Sequence, residues 1–419
     1  MPKKGLLSVD QAISAIVKKI LPLKKEEKIK LSDSLGRILS KNVISKRNNP
    51  SEDTSAMDGF AINSKNSTNE FKIIGESSAG NPFKGKVGKN ETVQIFTGSF
   101  LPKGTNTVII QENTKNLTPE IITNTVTFEK NQNVRKKGVD LKLGELVVKK
   151  NTVINSRIIS SIAMSNNNHI HVKKKPVIGI LSTGNEIVDI GKKIGKNQIP
   201  SGNNLMISSM VKVFGGIPKI LPIAKDKTKD IEKILNKNLN CDLFVSSGGA
   251  SVGKYDLLKS VLDKKNTNTN VDFWKIAMRP GKPLIFGKYK NIPFLGLPGN
   301  PVSAGVCSLI FLRTSINKIL GINDFFPDLH VGILNGELKK NDQRLDFVRA
   351  SFDKNDKNKI IPFSKQDSSM INLFSKCDCL ILRKPFEKKA LKNTKVNFIK
   401  FPDLIQIIYL IINLCKNKR

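Results

Sequence analysis

The chain has 419 residues, with 70 lysine and arginine residues against 35 aspartate and glutamate residues, and a formal net charge of +35. Single hydrophobic cores stop growing near about 250–300 residues, so this length predicts several domains. An apolar content of 39% is enough for packed cores and excludes wholesale disorder. A charge of this size first points to nucleic acid as a ligand.

The kind of basic residue argues against that ligand. Only 10 of the 70 cations are arginine, which is the residue that makes bidentate contacts to phosphates and bases. The lysines are spread along the whole chain, and one tryptophan and three tyrosines offer few platforms for base stacking. We therefore expect no nucleic-acid partner, and a charge that lies on solvated faces and favours anionic ligands.

Cysteine usage and the terminal segments predict a cytoplasmic protein. The five cysteines are scattered without a CxxC pair, which argues against a disulfide framework and a structural zinc site. The N-terminal stretch lacks the apolar core of a secretory signal and predicts an amphipathic helix capped by Ser8. The apolar run over residues 404–415 is too short to span a bilayer, so we expect no membrane partner.

The first 175 residues show no regular alternation of strands and helices. Their short apolar runs are broken by glycine, proline, asparagine and lysine, which predicts small β-rich modules. We predict an N-terminal region over residues 1–175, made of a helical and linker part and a β-rich lobe at about residues 50–145.

From residue 176 onward, apolar strands alternate with helical periods. This pattern predicts a doubly wound, mostly parallel α/β domain over residues 176–322, followed by a small β-barrel-like domain over 323–401 and an extra tail over 402–419. A long helix is expected from Val302 to about Leu320. The predicted strands of the α/β domain are Val177–Leu181, Ile217–Ile223, Asp242–Val245, Val271–Ala277 and Phe294–Leu297.

Loops rich in glycine, serine and threonine follow four of these predicted strands. Ligands of parallel sheets bind at the carboxyl ends of the strands, and glycine-rich loops expose backbone N–H groups that form anion nests. The loops therefore predict a ligand with phosphate-like oxygens at one edge of the sheet. They are STGNE (182–186), SSGGASVGKYD (246–256), MRPGKP (278–283) and GLPGNPVS (296–303).

Charged residues stand out in those loops. Glu186 and Asp256 are carboxylates among predicted phosphate-binding loops, which suggests a Mg²⁺ ion, although helix capping would explain either residue taken separately. Arg279 and Lys282 flank a Pro-Gly turn and so bring two cations to one place, although an ordinary surface turn would have the same pattern.

The N-terminal region contains further candidate loops. Residues 49–61 form a string of small residues that ends in Asp58 and Gly59, which is typical of a binding loop. Downstream, Arg135 and Asp140 flank a turn in RKKGVD. The spacing of these motifs alone does not identify a reaction.

Eight motifs, taken in order, resemble the molybdopterin molybdenumtransferases, the bacterial relatives of the gephyrin E domain. The resemblance runs from about residue 6 to about residue 400. It implies a multidomain α/β plus β subunit with an α/β molybdopterin-binding domain, an elongated mixed-β N-terminal lobe and a small C-terminal β domain. It also implies a homodimer. The motifs are SAMDGFA, AGNPF, TGSFLPKGTNTVIIQE, RKKGVDLKLG, STGNEI, SSGGASVGKYD, FWKIAMRPGKP and GLPGNPVSAG.

The reaction that the resemblance implies is insertion of molybdate into the dithiolene of adenylylated molybdopterin, with release of AMP. Molybdate and molybdopterin-AMP are then the substrates and Mg²⁺ is the metal cofactor. A molybdopterin adenylyltransferase is an implied protein partner besides the second copy of the chain.

The resemblance also assigns roles to single residues. Arg279 stands where many relatives have lysine, and the two side chains are not equivalent at an oxyanion site. The metal ligands that it implies are Glu186 and Asp256. The implied catalytic residues are Asp58, Asp140, Glu186, Asp226, Asp256, Arg279 and Lys282. The implied substrate-binding residues are Thr97, Arg135, Thr183, Ser246, Gly248, Gly249, Ser251, Gly253, Pro298, Pro301, Ser303 and Ser368.

Two other functions compete with this one. A molybdopterin adenylyltransferase or nucleotide-hydrolysing enzyme would need only the α/β domain, and the motifs between Asp58 and Asp140 argue against it. A non-catalytic scaffold of the gephyrin kind would not need the complete acidic set. Outside the motifs, His169 and His171 share one face of a predicted strand without a third metal ligand, and Cys377 and Cys379 are expected to pack in a core.

Overall fold

A computed structural model of the chain describes residues 6–66, 68–248, 257–263, 269–273 and 275–402. The chain divides into two compact units, one over residues 26–173 and the other formed by the segment before residue 26 together with the chain from residue 174 onward. Among the described residues, no helix is long and apolar enough to cross a membrane.

The first helix, α1 (Val9–Lys19), belongs to the unit that contains the α/β domain. Ser8 caps it as predicted, and Gln11 completes a capping box because each side chain bonds the other residue's backbone N–H. Before the helix, the Leu7 N–H donates to the Lys275 carbonyl over 3.1 Å. Residues 6–25 therefore pack with the α/β domain, although the sequence grouped them with the N-terminal region.

The unit over residues 26–173 is built around a six-stranded mixed sheet. Phe60 and Phe71 pack in one small core and Val108 in another, so both faces of the strand Gly59–Ile62 are buried. Its elements are β1 (Glu26–Lys30), β2 (Val43–Ile44), β3 (Thr54–Ser55), β4 (Gly59–Ile62), β5 (Glu70–Ser77), β6 (Glu91–Ile95), β7 (Thr107–Ile110), β8 (Thr114–Thr118), β9 (Ile121–Asn124), β10 (Val134–Arg135), β11 (Leu146–Val148), α2 (Ser156–Met164) and β12 (His169–Lys173).

The strand order of that sheet is β7-β4-β6-β5-β9-β8, and three further pairs, β1-β12, β3-β10 and β2-β11, form two-stranded sheets. Short 3₁₀ turns lie at Leu31–Asp33 and Gln111–Asn113. A separate core of Leu39, Ile154, Ile162 and Val172 holds the β1-β12 pair and α2 together. The small β modules that the broken apolar runs predict are therefore present.

The α/β domain contains a six-stranded sheet of order β16-β13-β17-β21-β20-β18, in which the first four strands are parallel. Its elements are β13 (Val177–Ser182), β14 (Ile187–Val188), β15 (Ile199–Pro200), α3 (Gly202–Val213), β16 (Ile217–Ile220), α4 (Thr228–Asn236), β17 (Leu243–Ser247), α5 (Leu257–Leu262), β18 (Asn270–Phe273), β19 (Met278–Arg279), β20 (Ile285–Tyr289), β21 (Ile292–Leu297), α6 (Pro301–Cys307) and α7 (Arg313–Leu320).

Two details of this domain differ from the sequence prediction. The strand predicted over Val271–Ala277 is shorter, since β18 ends at Phe273, and β20 is an additional strand that runs antiparallel to β21. Lys290 and Asn291 have φ values of 47° and 68°, which are the conformations of a tight two-residue hairpin turn. The sequence has no glycine there, so the usual hairpin signal was missing. The predicted long helix is present as α6 and α7, joined by a π-helical segment at Ser308–Leu312.

The C-terminal strands form a closed barrel. Their order is β23-β24-β22-β26-β25, and β25 pairs back with β23 to close the ring. The short strand β19 of the α/β domain adds to β23, with Arg279 opposite Asp346. The elements are β22 (Leu329–Leu334), β23 (Leu345–Phe352), β24 (Lys359–Pro362), α8 (Ile371–Phe374), β25 (Cys379–Arg383) and β26 (Lys395–Lys400).

Candidate functional site

The parallel strands β13, β17 and β21 end level with one another. Ser182 lies opposite Ser247, and Ser247 lies opposite Leu297. The loops that follow these strands therefore start at one edge of the sheet. This is the arrangement in which parallel sheets bind ligands.

On one face of the sheet, the strand ends are fixed by the first turn of α3. The Asn203 amide donates to the Ser247 hydroxyl and to the Gly299 carbonyl, both over 2.8 Å. Next to it, the Ser182 hydroxyl bonds the Asn204 side chain. All these polar groups have partners, so this face is a scaffold that ties the loops together. Neither asparagine was selected from the sequence, because nothing in the local pattern shows that α3 starts beside these loops.

On the other face, two predicted ligand-binding hydroxyls have no partner among the described residues. Thr183 and Ser246 are 3% and 0% exposed, and their side-chain oxygens make no hydrogen bond to any residue that the structure describes. Both project to the same face, since Ser246 is level with Leu181, which lies two residues before Thr183. A buried hydroxyl without a partner costs about 1–3 kcal/mol. Such groups are suited to receive a ligand.

Gly248 allows the close approach of two loops beside these hydroxyls. Its φ is 93°, and a Cβ at this position would lie 2.7 Å from the Thr183 carbonyl oxygen. A Cβ on Gly299 would lie 3.6 Å from the Gly248 Cα. Three backbone segments therefore converge here. Of the other residues predicted in this loop, Gly249, Ser251, Gly253 and Asp256 lie outside the described residues.

Two predicted acidic residues lie at the same edge. The exposed Glu186 carboxylate folds over Gly184, since a Cβ on that glycine would be 2.7 Å from both carboxylate oxygens. The Asp226 carboxylate instead accepts a hydrogen bond of 3.1 Å from the Asn185 N–H. The Asp226 N–H donates in return to the Asn185 side-chain oxygen over 3.3 Å. Asp226 thus ties the loop after β16 to the loop that carries Glu186.

The two cations of the Pro-Gly turn have different surroundings. The Arg279 guanidinium donates to Asp342 and Asn341, each over 3.2 Å, and also to Asp346, whose carboxylate raises the pKa of Arg279. Arg344 and, to a smaller extent, Arg279 lower the pKa of Asp342 to about 2. Arg279 is therefore bound to the barrel, and its predicted role at an oxyanion stays a prediction.

Lys282, at the other end of the turn, is exposed. None of the salt bridges among the described residues involves its ammonium group. The turn itself is tightly packed, because a Cβ on Gly281 would lie 2.5 Å from the Cys307 sulfur. Lys282 is thus the cation of this turn that is available to an anion.

The loop after β21 contacts a segment of the barrel domain. Pro301 is the first residue of α6, and the Val302 N–H in its first turn donates to the Ser368 carbonyl over 3.2 Å. The Asn300 amide donates to the Ser368 hydroxyl over 3.0 Å. The structure therefore brings Ser368 to the proline-rich loop, and its predicted role in substrate binding stays a prediction. Two other predicted residues lie in this stretch, Pro298 in the loop and the buried Ser303 in α6.

Within the unit over residues 26–173, Asp58 and Thr97 form a pair. Asp58 precedes β4 and Thr97 follows β6, and Gly59 pairs with Ile95 across these adjacent antiparallel strands. The Thr97 N–H and hydroxyl both donate to one Asp58 carboxylate oxygen, over 2.7 and 2.8 Å. These two hydrogen bonds, the backbone one first, lower the pKa of Asp58.

Arg135 and Asp140 lie on a neighbouring segment of the same unit. Asp140 accepts a hydrogen bond of 2.8 Å from the Asn49 amide, and Arg135 pairs with Thr54 in the two-stranded sheet β3-β10. Asp53, which directly precedes β3, accepts a hydrogen bond of 2.7 Å from the Lys136 ammonium, which directly follows β10, and so strengthens the pairing of these two strands. The sequence did not single out Asn49 or Asp53, because their partners lie more than 80 residues away.

The described residues offer few candidate ligands for a metal ion. They contain no group of three or more histidine, cysteine, aspartate or glutamate residues that could hold a metal ion. His169 and His171 lie on β12, where His171 is 3.5 Å from Glu26. Cys379 is buried in the barrel core.

Three family sequence profiles match consecutive parts of the chain. The MoeA N-terminal region (domain I and II) matches residues 7–165, a probable molybdopterin binding domain matches residues 179–318, and the MoeA C-terminal region (domain IV) matches residues 331–401. The molybdopterin molybdenumtransferase of Haemophilus influenzae is 33% identical over 386 residues, which is 90% of this chain and 94% of that protein. The chain belongs to the molybdopterin molybdenumtransferase family.

Other relatives agree with this assignment. The molybdopterin molybdenumtransferase of Staphylococcus epidermidis is 28% identical over 356 residues, 83% of this chain and 84% of that protein. The crystal structure of a molybdopterin biosynthesis MoeA protein from Pyrococcus horikoshii has a TM-score of 0.79 at 26% identity, covering 95% of this chain and all of that one. The predicted fold class is confirmed, and the chain is a transferase by family.

The close contact at Gly248 gives a first prediction. Gly248→Ala forces the backbone apart, because the new Cβ clashes with the Thr183 carbonyl. We expect a loss of about 1–3 kcal/mol in the free energy of unfolding, measured by urea denaturation with circular dichroism. Gly191→Ala is the control, since Gly191 also has positive φ but no atom lies within 4 Å of its Cβ position. Equal losses in the two variants would refute the close contact.

The Asp58–Thr97 pair gives a second prediction. Thr97→Val keeps the backbone N–H donor and removes the hydroxyl donor, so the pKa of Asp58 rises towards its ordinary value of about 3.9. Thr97→Ser keeps both donors and leaves that pKa low. Because this carboxyl has a lowered pKa, its stabilising effect is lost as the pH falls through that pKa. Carbon-13 NMR titration of the Asp58 carboxyl makes the measurement, and an unchanged pKa in Thr97→Val contradicts the pairing.

Proposed function

We propose that this chain inserts molybdate into the dithiolene of adenylylated molybdopterin and releases AMP. The observation that carries the proposal is the pair of buried, unpartnered hydroxyls of Thr183 and Ser246 at the carboxyl edge of the parallel strands. The names of the relatives add the chemistry, since they describe transfer of molybdenum to molybdopterin.

The edge of the sheet fits a polyanionic substrate. Gly248 and Gly299 leave no side chain between the loops, so a phosphate group can approach the backbone closely. The hydroxyls of Thr183 and Ser246 then donate hydrogen bonds to phosphate oxygens of the substrate. These bonds replace the ones that the phosphate oxygens make with water in solution. We assign the binding of the phosphate-bearing part of the substrate to these four residues.

Glu186 is the acid that we place nearest to the chemistry. Release of AMP breaks a phosphoanhydride bond: a water oxygen attacks one phosphorus, the bridging oxygen leaves with the other phosphate, and the attacking water loses a proton to a nearby base. Glu186 is exposed, and no described group donates a hydrogen bond to its carboxylate. Asp226 bonds the Asn185 N–H, so we assign it the role of holding the Glu186 loop in place.

Mg²⁺ fits the donor set of this edge. Mg²⁺ binds hard oxygen ligands and commonly uses one or two carboxylates together with substrate phosphates. Glu186 supplies a carboxylate, and the second predicted ligand, Asp256, lies outside the described residues. When bound, the ion would neutralise charge on the phosphates. The residues of the chain then orient the nucleotide and accept the proton.

Lys282 is the cation that we assign to molybdate. It is exposed on a tightly packed turn, whereas the Arg279 guanidinium on the other side of the turn is bound by Asp342 and Asp346. Arg279 then fixes the turn on the barrel, and Lys282 attracts the oxyanion. A positive potential over the whole chain would add to the attraction of both anionic substrates.

The assembly is proposed to be a homodimer. This proposal follows from the family resemblance. Three isoleucines after β14, Ile190, Ile194 and Ile199, are each more than half exposed, and such exposed apolar residues are compatible with an interface. The adenylylated substrate has to be supplied by an adenylyl-transfer reaction, so we also propose a molybdopterin adenylyltransferase as partner. A cytoplasmic location stays a prediction from the sequence.

The proposed function is tested by AMP release from adenylylated molybdopterin. We expect release by the purified protein to require both molybdate and Mg²⁺. Glu186→Gln should lower it by about 10²–10⁴-fold, because the variant lacks the carboxylate that accepts the proton or binds the metal. Asp256→Ala is expected to act in the same direction.

Asp189→Asn is the matched control, because Asp189 is an exposed acid three residues from Glu186 and has no assigned role. Its rate of AMP release should stay within about twofold of that of the unmodified protein, since surface substitutions have small effects. Equal rates in Glu186→Gln and the control would refute the catalytic assignment. AMP release that does not depend on molybdate would instead favour a nucleotide-hydrolysing enzyme.

A further inference from the structure

Two arginines are almost fully buried in the C-terminal barrel. Arg349 on β23 is 1% exposed and Arg383 at the end of β25 is 2% exposed. A buried guanidinium is costly unless its N–H groups find acceptors. Arg349 and Arg383 have their acceptors in different places, and among the described residues the Nε and Nη1 of Arg383 have no hydrogen-bond partner. The location of the acceptors separates a barrel residue that acts on the candidate site from one that serves the barrel alone.

The acceptors of Arg349 all lie in one segment. Its Nε donates to the Gln366 side-chain oxygen over 3.1 Å, and its Nη1 donates to the Asp367 carbonyl over 2.7 Å. The Gln366 amide also bonds the Arg349 backbone, accepting from its N–H and donating to its carbonyl, each over 3.0 Å. Undocking of residues 366–367 would therefore leave a buried cation without partners, so the segment is held firmly.

The next residue of that segment is Ser368, which reaches the proposed site. Its carbonyl accepts from the Val302 N–H and its hydroxyl accepts from the Asn300 amide. Asn300 follows Gly299, whose carbonyl accepts from Asn203 on α3. A series of hydrogen bonds, joined by the peptide bonds between residues 367 and 368 and between residues 299 and 300, thus runs from the barrel interior to the loop after β21.

We propose that Arg349 is a positioning residue for the transfer reaction. It holds residues 366–367 so that Ser368 fixes Asn300 and the first turn of α6 at the edge where the substrate binds. The role rests on the proposed function, because it requires that the loop after β21 contacts the pterin nucleotide. Arg349 itself touches no reacting group, and it acts through Ser368.

Arg383 is the matched control. It is buried to the same degree in the same barrel, but its guanidinium bonds the Lys388 carbonyl and lies 3.1 Å from Glu387. These partners belong to the turn after β25. Replacement of Arg383 by lysine therefore removes a buried guanidinium without a route to Ser368.

The test is a double-mutant cycle of Arg349→Lys and Ser368→Ala, with dissociation constants for adenylylated molybdopterin from calorimetry. We expect Arg349→Lys to weaken binding roughly tenfold, because lysine cannot make both bonds, and to raise KM while kcat stays within about twofold. In the Ser368→Ala background, Arg349→Lys should have a clearly smaller effect, because the hydroxyl bond to Asn300 is already lost and only the carbonyl bond to the Val302 N–H remains to be disturbed. Arg383→Lys should lower thermal stability but leave both constants unchanged. A full tenfold loss in the Ser368→Ala background, or an equal effect of Arg383→Lys, overturns the proposal.

A second measurement separates this inference from the proposed function. Hydrogen exchange of the Val302 amide needs no substrate, and Arg349→Lys should accelerate it whereas Arg383→Lys should not. Unchanged exchange in Arg349→Lys overturns the inference even if AMP release is normal. If Arg349→Lys fails to fold, Gln366→Asn replaces it, because this substitution shortens the side chain by one methylene group. We expect Gln366→Asn to accelerate the exchange of the Val302 amide in the same way.

Discussion

The register of the parallel strands β13, β17 and β21 is the constraint on which the candidate site depends. Because Ser182, Ser247 and Leu297 are level across the sheet, three loops begin side by side. Glycine at 248 lets the backbones approach, and the hydroxyls of Thr183 and Ser246 are buried without a partner in the described part of the chain. A shift of β13 or β17 by one residue would turn the hydroxyl of that strand to the opposite face and separate the two groups. The same register therefore defines the ligand-binding edge.

Pairing of scarce acids with particular cations then holds the surrounding loops in place. Asp346 and Asp342 bind Arg279, which fixes the Pro-Gly turn on the barrel, and Asp53 binds Lys136 in the N-terminal unit. In a chain with 70 cations and 35 acids, at least half of the cations have no carboxylate of their own to pair with. The net charge of +35 is thus a property of the solvated surface, and the few acids carry the structural information.

Much of the site could be predicted from the sequence because it lies in local motifs. The strand-then-glycine pattern predicted that the loops containing Thr183, Ser246 and Gly248 share one edge of the sheet, and these loops do begin side by side. The roles of the single residues rest on the family resemblance. The partners of Arg279 could not be predicted, because Asp342 and Asp346 are more than 60 residues away. Strand β20 was missed because its hairpin turn uses lysine and asparagine at positive φ instead of glycine.

The central claim is that the pterin nucleotide binds at the carboxyl edge of the parallel strands. A crystal structure of the chain with adenylylated molybdopterin tests it most directly. We predict ligand density beside Gly248 and Gly299, with the Thr183 and Ser246 hydroxyls within about 3 Å of ligand polar atoms. Density elsewhere on the chain, or hydroxyls that stay without a partner in the complex, would contradict the account.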